Sequence, residues 1–446
     1  MTTYGKAKGF LEVSPADPEQ RDPSREVVLL LHGLGGNKLD WSFPAWREMH
    51  WNHSQSPANR HSDNHFGPPL LGPLAALGFL TDFSLSDLDT NVRCWEGMLR
   101  AKGHTVINYS QDGNQSMVDI PLTQFEQEIV PTIRDEVLTG SLAGKKVTLL
   151  CHSRGGILAR RYVHDHPTVA PTWIKHIVTL CTPNQGTLAP LAKEKLTQQA
   201  LAGLVGPIAD AIGVDDLLVN TIDRLTDWLS ETEGAEQLLP DNALFERLAN
   251  PADAPDIEFT TFAGNSVRYS RLYYWLYTLS SFIPNFSDFP DIRFDYEQFP
   301  TELPLISPLL DQIPDGLVDD EQDDNEGDGA VSDLRARLPG APHTTVPVNH
   351  AEALWDETLF GLVADLLGTP LTGNENFECS RGFIGNSNTL QVHDPMNENT
   401  NCQLDEIDSI VPFKRIEDAL TNGYDGCFYC LSEHHTPEQP TNSPMD

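Results

Sequence analysis

The stretch Lys145–Gly156, KKVTLLCHSRGG, decides the fold that this sequence predicts. A β-branched and leucine run, Val147 to Leu150, has the composition of a buried strand, and the residues after the turn have the pattern of a helix. Ser153 lies at the apex, between strand and helix. Such a turn is tight, so the positions two before and two after the serine must be small, as Cys151 and Gly155 are. Ser153 is therefore a candidate nucleophile, exposed above a sheet.

A second buried strand is predicted at Val27–Leu31, an unbroken apolar run of the kind found in parallel sheets. The glycine-rich string HGLGG, His32–Gly36, follows at the carboxyl end of this strand, where α/β sheets place their sites. Glycines there allow a main-chain N–H group to point at a substrate. The same string is also typical of an ordinary turn between a strand and a helix.

The rest of the first 370 residues alternates buried strands with helices, which predicts an α/β fold with a doubly wound, mainly parallel sheet. Helices are expected at about 91–103, 122–138, 154–164 and 357–368, and further strands at 104–110, 174–180, 257–265 and 344–348. We expect a catalytic domain over 1–370 with insertions at about 37–88 and 188–325. An amphipathic helix within the second insertion is either a lid over an apolar cleft or a helix packed on the body.

Composition limits the function classes. The chain of 446 residues has 29 Lys and Arg against 65 Asp and Glu, a formal net charge of −36, which argues against binding to nucleic acid or anionic membranes. No apolar stretch reaches the roughly 18 residues of a membrane helix, so transient contact with a lipid interface is the most that we expect. The N-terminal residues lack a Sec-type signal, so we expect a cytoplasmic protein, with export by another route left open.

The order of three residues carries the predicted chemistry. Ser153 is followed by Asp328, which ends an acidic run, and then by His350, and an α/β-hydrolase triad follows the order Ser, acid, His. The imidazole would act as the base, and the carboxylate would fix its tautomer. Asp315, and after it Asp319 or Asp320, are alternative acids, and His343 is the alternative base. The main-chain N–H groups of Leu34 and Arg154 are the expected oxyanion donors.

At this point the chain resembles the lipases and esterases of the α/β-hydrolase family, particularly bacterial triacylglycerol-lipase-like enzymes. The resemblance covers roughly residues 26–368 and rests on HGLGG, CHSRGG, LCTPNQGT, EGDGAVSDLRARLPG and VPVNHAEAL. CHSRGG lacks the usual first glycine of the elbow, and Asn184 stands where a histidine is common. The resemblance implies hydrolysis of a carboxylic ester with an apolar acyl part through an acyl-serine. An acyltransferase with the same triad and a catalytically silent binding module are the alternatives.

A second unit is predicted after a linker at 371–376, over residues 377–446. His393, Cys402, Cys427 and Cys430 make a set of one His and three Cys that closes with a C-x-x-C pair, as structural zinc sites do. So few weakly apolar residues could hardly fold without a metal. The unit resembles small zinc modules appended to nucleases and other bacterial proteins. The spare ligands are Cys379, His434 and His435, and free cysteines without a metal are the alternative.

Overall fold

The structure of this chain is a computed structural model. The described residues are 2–4, 11–42, 94–113, 116–191, 233–265, 327–328, 330–348, 350, 352–354, 356–373, 382–394, 410–413 and 415–436. The lid hypothesis concerns a helix predicted over 216–233, and all of these residues except Glu233 lie outside the described part of the chain. So do most of the two predicted insertions.

An eight-stranded sheet forms the centre of the first unit, in the order β1-β2-β4-β3-β5-β6-β7-β8. Its first two strands run antiparallel to their neighbours, and all pairings from β4 to β8 are parallel. The strands are β1 Thr2–Tyr4, β2 Leu11–Ser14, β3 Val27–Leu31, β4 Thr105–Asn108, β5 Val147–His152, β6 Ile174–Leu180, β7 Glu258–Gly264 and β8 His343–Val346. The α/β fold with a doubly wound, mainly parallel sheet that the sequence predicts is confirmed.

Helices cover both faces of this sheet, which is why its central strands are continuously apolar. In β3, Val27, Leu29 and Leu31 face one core cluster, while Val28 and Leu30 face the other. The described helices of the first unit are Leu39–Ser42, Trp95–Ala101, Arg154–Asp165, Ala170–Trp173, Glu233–Glu236, Asp333–Ala336 and Glu357–Leu366, with a helical stretch of alternating α and π turns from Asp119 to Val137. Among the described residues, no helix is long and apolar enough to cross a bilayer.

The carboxyl ends of five neighbouring parallel strands meet at one edge of the sheet, because parallel strands all point the same way. β3 is followed by His32, β5 by Ser153 and β6 by Cys181. β7 ends at Gly264, where an added Cβ would approach the Cβ of Asp328 to 2.7 Å. β8 leads through Val348 to His350. Residues from five separate parts of the sequence therefore gather at this edge.

A separate four-stranded sheet forms the C-terminal unit, in the order β11-β9-β10-β12. Its strands are β9 Phe383–Asn386, β10 Gln391–His393, β11 Ile410–Phe413 and β12 Asp425–Gly426, and a helix spans Ile416–Thr421. Among the described residues of this unit, the core is small and contains Ile384, Val392 and Phe413 together with Cys427 and Cys430. Such a small core gives little stability of its own, which agrees with the need for a metal inferred from the sequence.

Candidate functional site

Ser153 adopts a strained backbone conformation at the turn between β5 and the helix Arg154–Asp165. Its φ is 52° and its ψ is −128°, a region that costs a residue with a side chain on the order of 1–3 kcal/mol. Surrounding contacts hold the turn in place. The Ser153 N–H donates to Leu180 O at 2.9 Å, and Thr182 Oγ1 donates to Ser153 O at 2.9 Å. Gly155 is required as well, since an added Cβ would lie 2.2 Å from Leu31 O.

The neighbouring thiol at the elbow is unreactive by comparison. Cys151 is completely buried two residues before the serine, and this burial raises the pKa of its thiol well above the ordinary value. A nucleophilic cysteine needs its thiolate form and access to solvent. Ser153 is therefore the candidate nucleophile of the elbow.

The HGLGG loop lies directly against the serine. An added Cβ on Gly33 would lie 2.8 Å from Ser153 Cβ and 3.3 Å from Ser153 Oγ, so only glycine fits there without a shift. Gly33 O accepts from the Gly36 N–H at 3.2 Å and lies 2.9 Å from His32 Nδ1. In a trans peptide the C=O and the following N–H point in opposite directions. These two contacts on Gly33 O therefore also fix the direction of the Leu34 N–H group, one of the two expected oxyanion donors.

Asp328, which is buried, and His350, which is partly buried, form a hydrogen-bonded pair near the ends of β7 and β8. His350 Nδ1 lies 2.8 Å from Asp328 Oδ2, and the His350 N–H donates to Asp328 O at 2.8 Å. The other carboxylate oxygen, Oδ1, accepts from the N–H groups of Ala330 and Val331 at 2.8 and 2.7 Å. Two main-chain donors thus stabilise the buried carboxylate through Oδ1 and leave Oδ2 directed at the imidazole. His350 Nε2 is then the nitrogen available as a base.

His152 connects this pair to the elbow, a role that the sequence did not reveal. It directly precedes Ser153, its Nε2 lies 2.8 Å from His350 O, and the two imidazole rings have centroids 4.8 Å apart. The main chain of the predicted base is thereby fixed to the residue next to the predicted nucleophile. No local pattern could have shown this contact, since the two histidines are 198 positions apart.

Gln111, also not anticipated, bridges the two sides of the expected oxyanion site. Its main-chain N–H donates to His32 Nε2 at 2.8 Å, and its Nε2 donates to His32 O at 2.7 Å. His32 Nε2 is therefore the acceptor nitrogen, so the ring proton is on Nδ1, which donates to Gly33 O. On the other side, Gln111 Oε1 accepts from the Arg154 guanidinium at 3.3 Å.

The Arg154 side chain is buried, although the sequence prediction concerned only its main chain. Its guanidinium also donates to Ser116 O at 2.7 Å, and burial lowers its pKa to about 10, which leaves it charged at neutral pH. Arg154 is the first residue of the elbow helix, and N–H groups of a first turn have no acceptor within the helix. This main-chain N–H has the position expected of the second oxyanion donor.

A buried ion pair anchors the far end of the HGLGG loop. Lys38 Nζ lies 2.7 Å from Glu12 Oε1, with both side chains almost fully buried. Asn108 Nδ2 donates to Lys38 O at 2.9 Å, and the Lys38 N–H donates to Ser110 Oγ at 3.2 Å. Contacts from β2 and from the end of β4 thus hold the loop rigid, as a preorganised donor requires.

The alternative base, His343, belongs to a different network. Its Nε2 lies 2.9 Å from Asp333 Oδ1, and its Nδ1 lies 2.7 Å from Thr261 Oγ1. Asp333 also accepts from Arg337 and Thr345. Because both ring nitrogens are engaged, His343 has the contacts of a structural residue. The alternative acids Asp315, Asp319 and Asp320 lie outside the described residues.

In the C-terminal unit, three of the four predicted metal ligands lie together. One donor atom each from His393, Cys427 and Cys430 falls within 4.8 Å of the others, and all three residues are buried. Cys430 Sγ lies 3.8 Å from His393 Nδ1 and accepts from the Asp394 N–H at 3.4 Å. The group could hold a metal ion.

The other predicted ligands of this unit either lie outside the described residues or do not join this group. Cys402 and Cys379 lie outside the described residues. His435, a spare candidate, instead lies 2.8 Å from Asp425 Oδ2 and 3.0 Å from Gly426 O. Within the described part of the chain, the metal-binding group contains neither His434 nor His435.

Comparisons with known proteins find similar chains among the solved structures. No protein-family model matches the sequence, and no curated protein is similar to it. The chain is similar to the lipase BlEst2 of Bacillus licheniformis, at 17% identity and a TM-score of 0.40 over 81% of this chain and 99% of that one. It is also similar to a proline iminopeptidase of Mycobacterium smegmatis, at 13% identity and a TM-score of 0.33 over 80% and 94%. A thermophilic esterase of Thermogutta terrifontis matches at 10% identity and a TM-score of 0.31 over 82% and 96%.

Proposed function

We propose that this protein is a serine hydrolase that cleaves carboxylic esters. The observation that carries the proposal is the convergence of a strained serine, a hydrogen-bonded Asp–His pair and a glycine loop at one edge of the sheet. Ser153 is the nucleophile, His350 the base and Asp328 the acid. Each is a residue type that acyl transfer requires, since a serine hydroxyl is a weak nucleophile without a positioned base.

The reaction proceeds in two halves. Ser153 Oγ attacks the ester carbonyl carbon while His350 Nε2 takes the hydroxyl proton, and Asp328 stabilises the resulting imidazolium. The tetrahedral adduct then expels the alcohol, which takes the proton from His350, and leaves an acyl-serine. In the second half a water molecule gives its proton to His350 and attacks the acyl carbon. Collapse of this adduct releases the carboxylic acid and returns the proton to Ser153.

The oxyanion of each adduct is stabilised by the main-chain N–H groups of Leu34 and Arg154. Donors of this kind are worth about 3 kcal/mol each when they are held in place before the reaction. The contacts on Gly33 O and the helix position of Arg154 support this assignment.

The substrate that we propose is an ester with an apolar acyl part, following the resemblance to lipases and esterases. The test is the release of p-nitrophenol from esters of short and long acyl chains by the wild type and by Ser153→Ala. We expect hydrolysis by the wild type and a loss of at least about 10⁴-fold in the variant. Equal inertness of both proteins at every chain length would refute the proposal. Faster product formation with an added alcohol, which captures the acyl group, would identify an acyltransferase instead.

For the C-terminal unit we propose a structural zinc ion bound by His393, Cys427 and Cys430, with Cys402 as the fourth ligand. Nitrogen and thiolate donors in a closed set of four suit zinc, and its binding energy would stabilise a unit with so small a core. We expect one zinc per chain in protein purified without chelator and none in Cys427→Ser/Cys430→Ser. Protease should then cleave the C-terminal unit, while ester hydrolysis remains. Wild-type protein that contains no zinc would refute this assignment.

A further inference from the structure

The thiol of Cys181 lies beside Asp328 and His350, the acid and base of the proposed triad. Cys181 directly follows β6 and has a left-handed φ of 52°, and its N–H donates to Phe262 O at 2.8 Å. These contacts hold it at the edge of the sheet where the site lies. Its Sγ, a carboxylate oxygen of Asp328 and a ring nitrogen of His350 all lie within 4.8 Å of one another.

This trio has the donor types and nearly the spacing of a zinc site. Zinc binds thiolate sulfur at about 2.3 Å and imidazole nitrogen or carboxylate oxygen at about 2.0–2.2 Å, so tetrahedral ligands are separated by roughly 3.3–3.7 Å. The three donor atoms lie within 4.8 Å of one another, so they need to approach by no more than roughly 1.5 Å to hold one zinc ion. A sulfur and a nitrogen among three ligands favour zinc over magnesium or calcium, which prefer oxygen.

We propose that Cys181, Asp328 and His350 form an inhibitory zinc site. The inference rests on the proposed function, because it concerns control of the same triad. A zinc ion here takes three protein ligands and leaves the fourth position to water. The strongly negative net charge of the chain raises the local concentration of cations and so favours occupancy.

Zinc at this position disables the base whichever ring nitrogen it binds. On Nε2 it occupies the lone pair that must accept the Ser153 proton. On Nδ1 it replaces the proton shared with Asp328, and the neutral ring then carries its proton on Nε2 and has no lone pair to offer there. The protein therefore cannot hydrolyse an ester while zinc is bound at this site.

This site is distinct from the predicted structural zinc site of the C-terminal unit. The two sets share no residue, and each set of donor atoms forms its own group. A buried thiol elsewhere in the first unit offers a matched control. Cys94 is the N-cap of the helix Trp95–Ala101 and accepts from the Gly97 N–H at 3.3 Å, a role that serine fills equally well.

The experiment titrates Zn²⁺ into full-length protein that retains the zinc of its C-terminal unit. Calorimetry on Ser153→Ala counts the additional zinc ions, and a parallel titration measures inhibition of ester hydrolysis in proteins that keep Ser153. We expect one additional zinc per chain, and an inhibition constant that rises at least about tenfold in Cys181→Ser relative to the wild type. Cys94→Ser should behave as the wild type in both measurements. Cys181→Ala gives the same comparison if the serine variant fails to fold.

The possible outcomes separate the two proposals. An additional zinc that is lost with Cys181, together with inhibition that weakens in parallel, supports the inhibitory site. Inhibition with the same constant in Cys181→Ser, or no additional zinc in Ser153→Ala, overturns it. If the wild type hydrolyses no ester but still binds a zinc that depends on Cys181, the hydrolase proposal fails and the metal site stands.

Discussion

Gly33 and Ser153 are so close that a single added carbon at position 33 would approach Ser153 Cβ to 2.8 Å. Atoms this near must move, and the groups available to move are the proposed nucleophile and the loop that carries the proposed oxyanion donor. We therefore expect Gly33→Ala to lower kcat for ester hydrolysis by about 10²-fold or more, the cost of one misplaced donor or nucleophile. Steady-state kinetics on a p-nitrophenyl ester measures this loss.

The control for this variant is Gly361→Ala, in the helix Glu357–Leu366. An added Cβ there meets nothing within 4 Å, and alanine is a better helix former than glycine. This variant should keep full activity and gain slightly in Tm. Full activity in Gly33→Ala would show that the glycine is not required at the nucleophile.

Two buried aspartates with histidine partners differ in the role that the structure gives them. Asp328 contacts His350 at the carboxyl edge of the sheet, whereas Asp333 contacts His343, Arg337 and Thr345. Asp328→Asn should lower kcat by roughly 10³-fold or more, because the amide either donates to Nδ1 or leaves it unpaired and so favours the wrong tautomer. Asp333→Asn should lower Tm and leave kcat within a few-fold of the wild type. The opposite result would move the acid of the triad to Asp333.

The sequence predicted most of the central sheet because its strands are buried on both faces. The strand predicted over Ile174–Leu180 agrees with β6 at both ends, and the predicted elbow helix agrees with Arg154–Asp165 to within a residue. A continuous apolar run and a helical periodicity are local signals, which burial enforces residue by residue. Asp328 and His350 lie together at the sheet edge that carries Ser153, because the topology of the sheet fixes where each strand ends, and their assignment as a triad stays a prediction.

The contacts that position the side chains of the site could not be predicted from local sequence patterns. Gln111 follows a strand in a polar string, and nothing in that string indicates that its amide joins His32 to Arg154. The same holds for Cys181, which is in an ordinary turn sequence. Such contacts depend on the packing of loops from distant parts of the chain at the sheet edge. The hydrophobic pattern of the sequence carries no information about this packing.

The Gln111 bridge leads to a prediction about positioning. In Gln111→Met the side-chain volume is kept, but the amide that donates to His32 O and accepts from Arg154 is lost. We expect kcat to fall at least about tenfold with little change in KM, because donors to the oxyanion act only in the transition state. The affinity for a boronate that mimics the tetrahedral adduct should fall in parallel.

The control is Gln124→Met, which changes a second buried glutamine. Gln124 accepts from the Asp112 N–H at 2.8 Å and donates to Ser110 O at 3.3 Å, and it makes neither of the two contacts that define the bridge. Its loss should lower Tm without changing kcat. A Gln111→Met enzyme with wild-type kcat and weaker substrate binding would exclude the positioning role.

His104 makes the stability of the first unit depend on pH. It is buried between the start of β3 and the end of the last helix of the domain, where its Nδ1 accepts from the Glu26 N–H at 3.2 Å and its Nε2 lies 2.8 Å from Thr369 Oγ1. Burial lowers its pKa from 6.5 to about 4. Between these values the unfolded chain binds a proton at this residue and the folded protein does not, so stability falls as the pH is lowered from about 6.5 to 4.

Replacement of this histidine should therefore flatten the dependence of stability on pH. His104→Gln removes the titrating group, and we expect Tm to decline less steeply than in the wild type between pH 6.5 and 4, even if Tm at pH 7 is lower. Thr369→Val removes the contact at Nε2 but keeps the histidine, so it should retain the wild-type slope. Thermal melts of the three proteins across this range measure the difference. Parallel curves for His104→Gln and the wild type would show that His104 titrates alike in the folded and unfolded states.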